Sequence, residues 1–169
     1  MKSAICAVWV ATALQSGISS AWAFDGEPSG FRGIDWGTPY DSVKSQMTAH
    51  ATEGGDDLYD RIGDKMSLGE AQLKGIRYFF YKGQFAGAFV VSKPGEEAAM
   101  IRAFVAQFGD GEKPNQFMES RLWRGATTTM SLDCNEIESS CEALILSSAL
   151  QEKEKQDQDT AAAGAKSDF

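Results

Sequence analysis

The single histidine of this chain, His50, is the first residue whose type could do chemistry. General-base catalysis and metal binding recruit His together with a carboxylate or a nucleophile, and nothing in the surrounding sequence marks such a partner. We interpret His50 as the C-terminal residue of a helix, where the helix dipole favours a positive charge. The sequence also lacks nucleophile-elbow, zinc-protease, phosphate-loop and dinucleotide-binding motifs. We therefore expect a protein that is not an enzyme, with no catalytic residue, no metal and no cofactor.

An acidic, glycine-containing stretch is the second candidate for chemistry. Its carboxylates belong to Glu53, Asp56, Asp57, Asp60 and Asp64. Calcium takes several carboxylate and carbonyl oxygens, so calcium binding is one interpretation, although the spacing of an EF-hand is absent. The other interpretation is a solvated loop, and the sequence alone leaves both open.

Aromatic and basic side chains near the ends of predicted strands form the third candidate, a groove for a peptide, a glycan or a small ligand. Aromatic residues at strand ends belong more often to the hydrophobic core, so core packing is the alternative interpretation. If the groove exists, its aromatic walls and polar contacts come from eight residues: Trp36, Tyr40, Arg77, Tyr81, Lys82, Arg121, Trp123 and Arg124.

Two cysteines, Cys134 and Cys141, lie outside the N-terminal segment that contains Cys6. An even number of Cys in an exported protein predicts a disulfide. The spacing is C-x6-C rather than C-x-x-C, and no Lys, Arg or His adjoins either residue to activate a thiol, which argues against a redox site. We expect a structural bridge across a hairpin, with Cys134 ending one strand and Cys141 starting the next.

The N-terminal segment has the three parts of a secretory signal peptide. Lys2 follows the first Met, an apolar run extends from Ala4 to Leu14, and Ala21-Trp22-Ala23 forms an Ala-x-Ala cleavage site. The apolar run is too short to span a bilayer comfortably. The sequence thus predicts a signal peptide over 1–23, a periplasmic or secreted protein, and no membrane span after cleavage. An uncleaved N-terminal anchor is the alternative.

The chain is acidic, with a formal net charge of −8 at pH 7. Affinity for nucleic acid comes mainly from Lys and Arg that neutralise phosphates, and attraction to anionic lipid needs a basic patch. The charge therefore argues against nucleic acid and anionic lipid as partners, and we attribute it to solubility.

The most apolar and aromatic stretch after the N-terminal segment predicts a central β-hairpin. Its strands are Gly75–Tyr81 and Gln84–Val91, and Lys82-Gly83 supplies the turn. Gly87 inside the second strand predicts the close approach of a bulky aromatic side chain.

Helices and further strands are predicted around this hairpin from apolar spacing and capping residues. The helices are Pro39–Ala49, with Tyr40, Val43 and Met47 on its inner face, and Glu96–Phe108. The remaining predicted strands are Phe31–Gly37 with Gly33 as a candidate kink, Leu58–Ile62, Gln116–Trp123, Thr127–Leu132 and Cys141–Ser147.

These elements predict one α+β domain over 24–148, with a mainly antiparallel sheet and two helices in the order β-α-β-β-β-α-β-β-β. The turns Tyr81-Lys82-Gly83 and Trp123-Arg124-Gly125 share an aromatic-basic-Gly pattern, which makes a tandem αβββ duplication an alternative description. Residues 149–169 are polar and then small, so we expect a short helical segment that frays into a disordered tail.

Two motifs of this domain carry a resemblance. They are Phe31-Arg32-Gly33-Ile34-x-Trp36-Gly37-Thr38 and Phe80-Tyr81-Lys82-Gly83-Gln84-Phe85-x-Gly87. In both, the chain resembles a group of uncharacterised small exported proteobacterial proteins, which implies a shared fold and an exported location but no active site. A helix after Gly-Thr, followed by a three-stranded meander, is more distantly similar to αβββ modules of outer-membrane assembly accessory lipoproteins. No lipidation Cys ends the predicted signal peptide of this chain.

The lack of catalytic motifs and the central hairpin, which is apolar on both faces, favour a non-enzymatic binding or accessory protein of the cell envelope. Its partner would be an envelope protein that contacts an exposed sheet face or a sheet edge. Two alternatives stay open. One is a module that binds a small apolar ligand between the helices and the sheet, and the other is an enzyme of unrecognised type that uses the acidic stretch or the Arg-aromatic surface.

Overall fold

The chain forms ten strands and three α-helices within residues 23–50 and 58–165, the part that this computed structural model describes. The strands are β1 Gly30–Phe31, β2 Ile34–Asp35, β3 Met47–Ala49, β4 Leu58–Arg61, β5 Ser67–Leu68, β6 Ala71–Tyr81, β7 Gln84–Ser92, β8 Ser120–Arg124, β9 Thr128–Asn135 and β10 Ser140–Ser147. The helices are α1 Tyr40–Val43, α2 Glu97–Phe108 and α3 Ser148–Ala165, and a short 3₁₀ helix, Lys44–Gln46, follows α1.

The main sheet is antiparallel and has the strand order β3-β4-β6-β7-β10-β9-β8, with β5 paired to the start of β6. β1 and β2 form a separate two-stranded hairpin. The predicted α+β class with a mainly antiparallel sheet is confirmed. The element order differs from the predicted one, because the β1–β2 hairpin, β3, β5 and α3 add to the elements that the sequence patterns indicate.

The central hairpin forms as predicted from β6 and β7. The two strands pair as far as Tyr81 and Gln84, and the chain reverses at Lys82 and Gly83. The φ angles of these two residues are 49° and 73°, both positive, as a type I′ turn requires. The second predicted hairpin is β8–β9, in which residues 116–119 lie outside the strand.

The N-terminal strand is a hairpin, not the single kinked strand predicted over Phe31–Gly37. Arg32 and Gly33 have φ angles of 49° and 77°, so the chain reverses between β1 and β2. This basic-Gly turn has the same form as the turn at Lys82-Gly83. Short-range alternation of apolar and polar residues did not reveal the reversal, because each arm is only two residues long.

The prediction of a helix over Pro39–Ala49 is wrong beyond the first turns of that segment. α1 and the 3₁₀ helix end at Gln46, and the next three residues form β3, which pairs with β4. Val43 and Met47 are nevertheless only 8% and 7% exposed. A helix followed by a strand buries both side chains, so their spacing alone could not distinguish this arrangement from one continuous helix.

Two separate elements, α2 and the β1–β2 hairpin, cover the inner face of the sheet, which is the face that carries Tyr78. α2 begins one residue after its predicted start and is followed by Gly109, whose φ is 75°. Met100 and Phe104 of α2 are fully buried. Phe31 of the hairpin packs against Tyr78 of β6. The hydrophobic core therefore lies between the sheet and these two covers.

The C-terminal segment is helical over α3, where the sequence predicts a short helical segment and a disordered tail. Glu, Gln, Lys and Ala dominate α3 and have high helix propensity. Gln156 and Gln158 also donate hydrogen bonds four residues back, to Glu152 and Glu154. The prediction is therefore corrected for this segment, and the last residues of the predicted tail, 166–169, lie outside the described part of the chain.

Candidate functional site

A disulfide joins Cys134 and Cys141, as the sequence predicts. The two residues are directly opposite each other in the β9–β10 ladder, with their Cα atoms 4.0 Å apart. Cys141 is fully buried. The bridge holds the turn between β9 and β10, and a disulfide of this kind favours an oxidising compartment.

Three of the four aromatic residues predicted to line a groove lie in or against the core. The Trp36 ring stacks on Phe85 with 5.2 Å between ring centroids, and the Tyr40 ring centroid lies 4.5 Å from that of Tyr59. Trp123 is only 2% exposed. The surroundings of these three rings therefore match the alternative interpretation, in which they belong to the hydrophobic core.

Arg121 and Arg124 lie on β8 and are held by acidic neighbours. Arg121 is 8% exposed, and its Nε donates to Glu119 Oε1 at 2.7 Å. Its guanidinium also donates to the Asp110 carbonyl oxygen at 2.8 Å. Arg124 forms an exposed ion pair with Glu112. Arg121 therefore has little surface left for a partner.

Tyr81 and Lys82, at the end of the central hairpin, contact the C-terminal helix. The Tyr81 hydroxyl and the Lys82 ammonium both donate to Asp157 Oδ2, at 2.5 and 2.6 Å. The hydrogen bond from Lys82, followed by the one from Tyr81, lowers the pKa of Asp157. These two predicted binding residues are thus engaged by α3 of the same chain.

Arg77 belongs to a charged cluster that the sequence did not reveal. Its guanidinium donates to Asp60 Oδ1 at 2.7 Å, and Asp60 Oδ2 lies 2.9 Å from His50 Nδ1. His50 follows β3 instead of ending a helix, so it lies beside β4 and reaches Asp60. Interpreting residues 47–50 as a strand paired with Leu58–Arg61 would have brought these two side chains together, because alternate residues of a strand share a face.

Asp64, at the end of the acidic stretch, belongs to a partly buried cluster. Its carboxylate pairs with Arg32 and accepts a 2.6 Å hydrogen bond from the Tyr78 hydroxyl. Burial, followed by this hydrogen bond, raises the pKa of Tyr78 well above its usual range. No group of three or more His, Cys, Asp or Glu side chains within 23–50 and 58–165 is arranged to hold a metal ion. Three carboxylates of the stretch considered for calcium lie outside the described residues: Glu53, Asp56 and Asp57.

The face of the sheet opposite α2, which we call the outer face, carries a strip of partly exposed apolar side chains. The strip consists of Phe79, Phe89, Val91, Leu144 and Leu146. Phe89 of β7 lies directly opposite Leu144 of β10, so the strip is continuous across the centre of the sheet. Arg77 of β6 lies opposite Phe89 on its other side, which gives the strip a charged border.

α3 covers only one end of the outer face. Its less exposed side chains include Leu150, Glu154 and Asp157, and only one of these three is apolar. A cavity of about 220 Å³ separates this helix from the strip, and its lining includes Phe79, Leu144 and Glu154. The helix is therefore held beside the strip more by polar contacts than by apolar burial.

The two edges of the sheet offer less surface than the outer face. β3, at one edge, has three residues. At the other edge, Leu122 of β8 exchanges backbone hydrogen bonds of 2.8 and 2.9 Å with Glu112. The edges are therefore short or already paired, whereas the outer face carries the continuous apolar strip.

Within the described residues, no helix combines the length and the apolar character needed to cross a membrane. Comparisons with models of known families, with curated proteins and with solved structures find no match to this chain.

Proposed function

We propose that this protein is an exported, non-enzymatic binding protein that recognises another protein of the cell envelope through the outer face of its sheet. The observation that carries the proposal is the apolar strip on that face. Its central side chains, Phe89 and Leu144, are partly exposed. Leu144 lines the cavity beside α3, whereas Phe89 and Val91 line a second cavity to which α3 contributes no residue. Contiguous apolar patches bordered by polar residues mark interaction sites on protein surfaces.

The shape of the surface favours a protein over a small molecule as the partner at this face. The cavity between α3 and the strip has a volume of about 220 Å³. Pockets for small ligands usually enclose about 300 to 1,000 Å³. A broad face with a shallow cavity fits the side chains of another protein better than it encloses a small molecule.

We infer a structural role for the two charged clusters, because their members bind one another across the fold. Asp64 is engaged by Arg32 and Tyr78, and Asp60 is engaged by Arg77 and His50. Each of these arrangements links neighbouring elements of the fold, which gives the charged residues a structural role.

Two observations support an exported location. The first is the signal peptide that the sequence predicts over 1–23. The second is the Cys134–Cys141 disulfide, because such bridges persist in oxidising compartments.

Photocrosslinking in the native cell envelope tests this proposal. A photoreactive phenylalanine derivative is placed at Phe89 in one variant and at Leu144 in a second variant. Because both side chains lie in the middle of the strip, we expect the same protein adduct from both positions. Mass spectrometry of the adduct identifies the partner.

Ile137, in the turn after β9, is the matched control position because it is 95% exposed and lies outside the strip. We expect no recurrent adduct from this position. The double substitution Val91→Ser and Leu144→Ser should lower the adduct yield at Phe89 at least tenfold without changing the fold. Equal adducts from Ile137, or none from Phe89 and Leu144, would contradict the proposal.

A further inference from the structure

We infer that the cleft between α2 and the β1–β2 hairpin is a binding site for a neutral, mainly apolar small molecule. We call it the seam cleft, because it follows the line where the two covers of the inner face meet. Its volume is about 610 Å³. This inference concerns the opposite side of the sheet from the outer face and does not depend on the proposed protein partner.

The lining of the seam cleft is mainly apolar. The large side chains that contribute are Phe31, Leu68, Phe104, Phe108, Met130 and Ile145. They come from the hairpin, β5, α2, β9 and β10, so several elements converge on one space. A volume of this size and an apolar lining are typical of pockets that hold small ligands, which enclose about 300 to 1,000 Å³.

Small residues create the space. A Cβ on Gly26 would lie 2.6 Å from the Gln107 carbonyl oxygen, so the N-terminal segment touches the end of α2. A Cβ on Gly69 would lie 3.4 Å from Ala103 Cβ, so the turn after β5 touches the middle of the same helix. Two of the α2 residues that line the cleft, Ala103 and Ala106, present only methyl groups to it. The cleft is therefore closed at its flanks and open between them.

The two covers are fixed to the sheet at different places, which keeps the seam from closing. The N–H groups of Gly95 and Glu97, at the start of α2, donate to the Ser139 carbonyl oxygen at 2.9 and 3.1 Å. The Trp36 ring, just after the hairpin, donates from Nε1 to Thr128 Oγ1 at 2.8 Å. Moving the covers together would break one of these sets of contacts.

The charges around the cleft favour a neutral ligand. Arg32 is the charged residue in the lining, and its guanidinium already pairs with Asp64. It also donates to the carbonyl oxygens of Lys65 and Ser67, at 2.6 and 2.8 Å. A ligand anion would have to compete with these partners and approach a chain of net charge −8. Gln107 also lines the cleft and is exposed, and its side-chain amide can accept or donate a hydrogen bond to a ligand.

A fluorescence titration of the purified exported protein tests this inference. The probe is N-phenyl-1-naphthylamine, a neutral apolar dye whose emission rises when it leaves water. We expect saturable binding of one dye per chain. The anionic dye 1-anilinonaphthalene-8-sulfonate should bind at least tenfold more weakly, because Arg32 is already paired.

Variants of α2 locate the bound dye. Ala103→Phe and Ala106→Phe place a ring in the cleft and should each weaken dye binding at least tenfold. Ala98→Phe adds the same ring at an exposed position of the same helix outside the cleft lining, and should change binding less than twofold. Circular dichroism identifies variants that keep the fold, and Ala106 is exposed, so its variant remains informative if Ala103→Phe does not fold.

Leu144→Ser separates the seam cleft from the outer face, because it removes an apolar side chain from the strip and leaves the cleft intact. We expect unchanged dye binding in this variant. Absence of saturable binding, unchanged binding in the folded cleft variants, or loss of binding in Leu144→Ser would overturn the inference.

Discussion

At Gly87 the missing side chain makes room for an aromatic ring on the outer face. A Cβ at this position would lie 2.6 Å from Phe79 Cε1 and 2.6 Å from the Ile145 carbonyl oxygen. The prediction that a glycine within the strand marks the close approach of an aromatic side chain is confirmed. Gly87 thus determines how Phe79 lies across β7 at one end of the apolar strip.

Gly87→Ala should destabilise the protein by about 1 to 3 kcal/mol, because the added methyl group overpacks a space bounded by backbone. The measurement is the urea midpoint of unfolding. The double variant with Phe79→Leu should recover part of the loss and not all of it, since the Ile145 carbonyl oxygen stays in place. An unchanged midpoint in Gly87→Ala would show that the strands can move apart at low cost.

The cluster of Tyr78, Asp64 and Arg32 should contribute strongly to stability. The side chains of Arg32 and Asp64 are 18% and 7% exposed. Asp64→Ala should cost about 3 kcal/mol, because it leaves a partly buried guanidinium without its carboxylate. Tyr78→Phe should cost about 1 kcal/mol through the lost hydrogen bond. Urea unfolding measures both, and equal stability of Asp64→Ala and the unmodified chain would contradict this assignment.

The raised pKa of Tyr78 also predicts a pH dependence. The group ionises near pH 10 in the unfolded chain and only at higher pH in the folded protein. Its contribution to stability is therefore complete below pH 10 and is lost as the pH rises from 10 towards the folded pKa. The stability difference between the unmodified chain and Tyr78→Phe should shrink above pH 10 when urea midpoints are compared from pH 8 to 11. A stability difference that stays constant from pH 8 to 11 would contradict this role of Tyr78 in the cluster.

The disulfide links two secondary-structure elements, because it closes the turn between β9 and β10. Replacing both Cys134 and Cys141 by Ala should lower the free energy of unfolding by about 2 to 3 kcal/mol in the chain-entropy model of a short loop. The urea midpoint gives the loss. A reducing agent should destabilise the unmodified chain by a similar amount and leave the double variant unchanged, and any other pattern would argue against this role.

The contact of α3 with the central hairpin should slow the local opening of this helix. Asp157→Asn should speed amide hydrogen exchange in residues 150–158, because the Lys82 and Tyr81 donors lose their charged acceptor. Asp159→Asn changes the same charge at an exposed position of the same helix and should have no such effect. Mass spectrometry measures the exchange rates. Equal rates in the two variants would contradict a stabilising role of this contact.

The lowered pKa of Asp157 predicts that the contribution of this contact to stability depends on pH. A carboxyl whose folded pKa is depressed contributes its stability above the unfolded value, here 3.8, and loses it as the pH falls through the folded pKa. The stability difference between the unmodified chain and Asp157→Asn should therefore persist at pH 7 and shrink as the pH falls from 3.8 through the lower folded pKa.

At the scale of the whole molecule, the two faces of the sheet should respond differently to truncation. Phe104→Ala, at a fully buried position of α2, should cost about 3 to 5 kcal/mol. Leu144→Ala, on the partly exposed outer face, should cost about 1 kcal/mol. Urea unfolding compares the two. If Leu144→Ala proves as costly as Phe104→Ala, the outer face is packed core and the proposed binding surface loses its support.

The sheet is built from two antiparallel units that meet at its centre. One unit contains β3, β4, β6 and β7 and follows α1, and the other contains β8, β9 and β10 and follows α2. The final strands of the two units, β7 and β10, pair with each other. The tandem αβββ duplication stays a prediction, since the two units differ in strand number.

Local patterns made much of the fold predictable and little of the candidate site. Turn chemistry at Lys82-Gly83 and apolar spacing in α2 act over a few residues, so both elements could be recognised from the sequence. The burial of Trp123 and Arg121 depends on which face of the sheet α2 covers, and no local pattern carries that information. The His50–Asp60 contact was missed for a related reason, because it follows from the pairing of β3 with β4.

The sequence by itself determined the α+β class, the central hairpin, α2 and the pairing of Cys134 with Cys141. These features follow from turn residues, periodicity and cysteine number, which are local properties of the chain. Only the tertiary structure decided that residues 47–49 form a strand, that α3 returns to Lys82, and that a strip and a cleft lie on opposite faces of one sheet. Those outcomes depend on packing between segments that are distant in sequence. Whether a side chain is buried there is decided by elements elsewhere in the chain, so the residues next to it in the sequence do not reveal it.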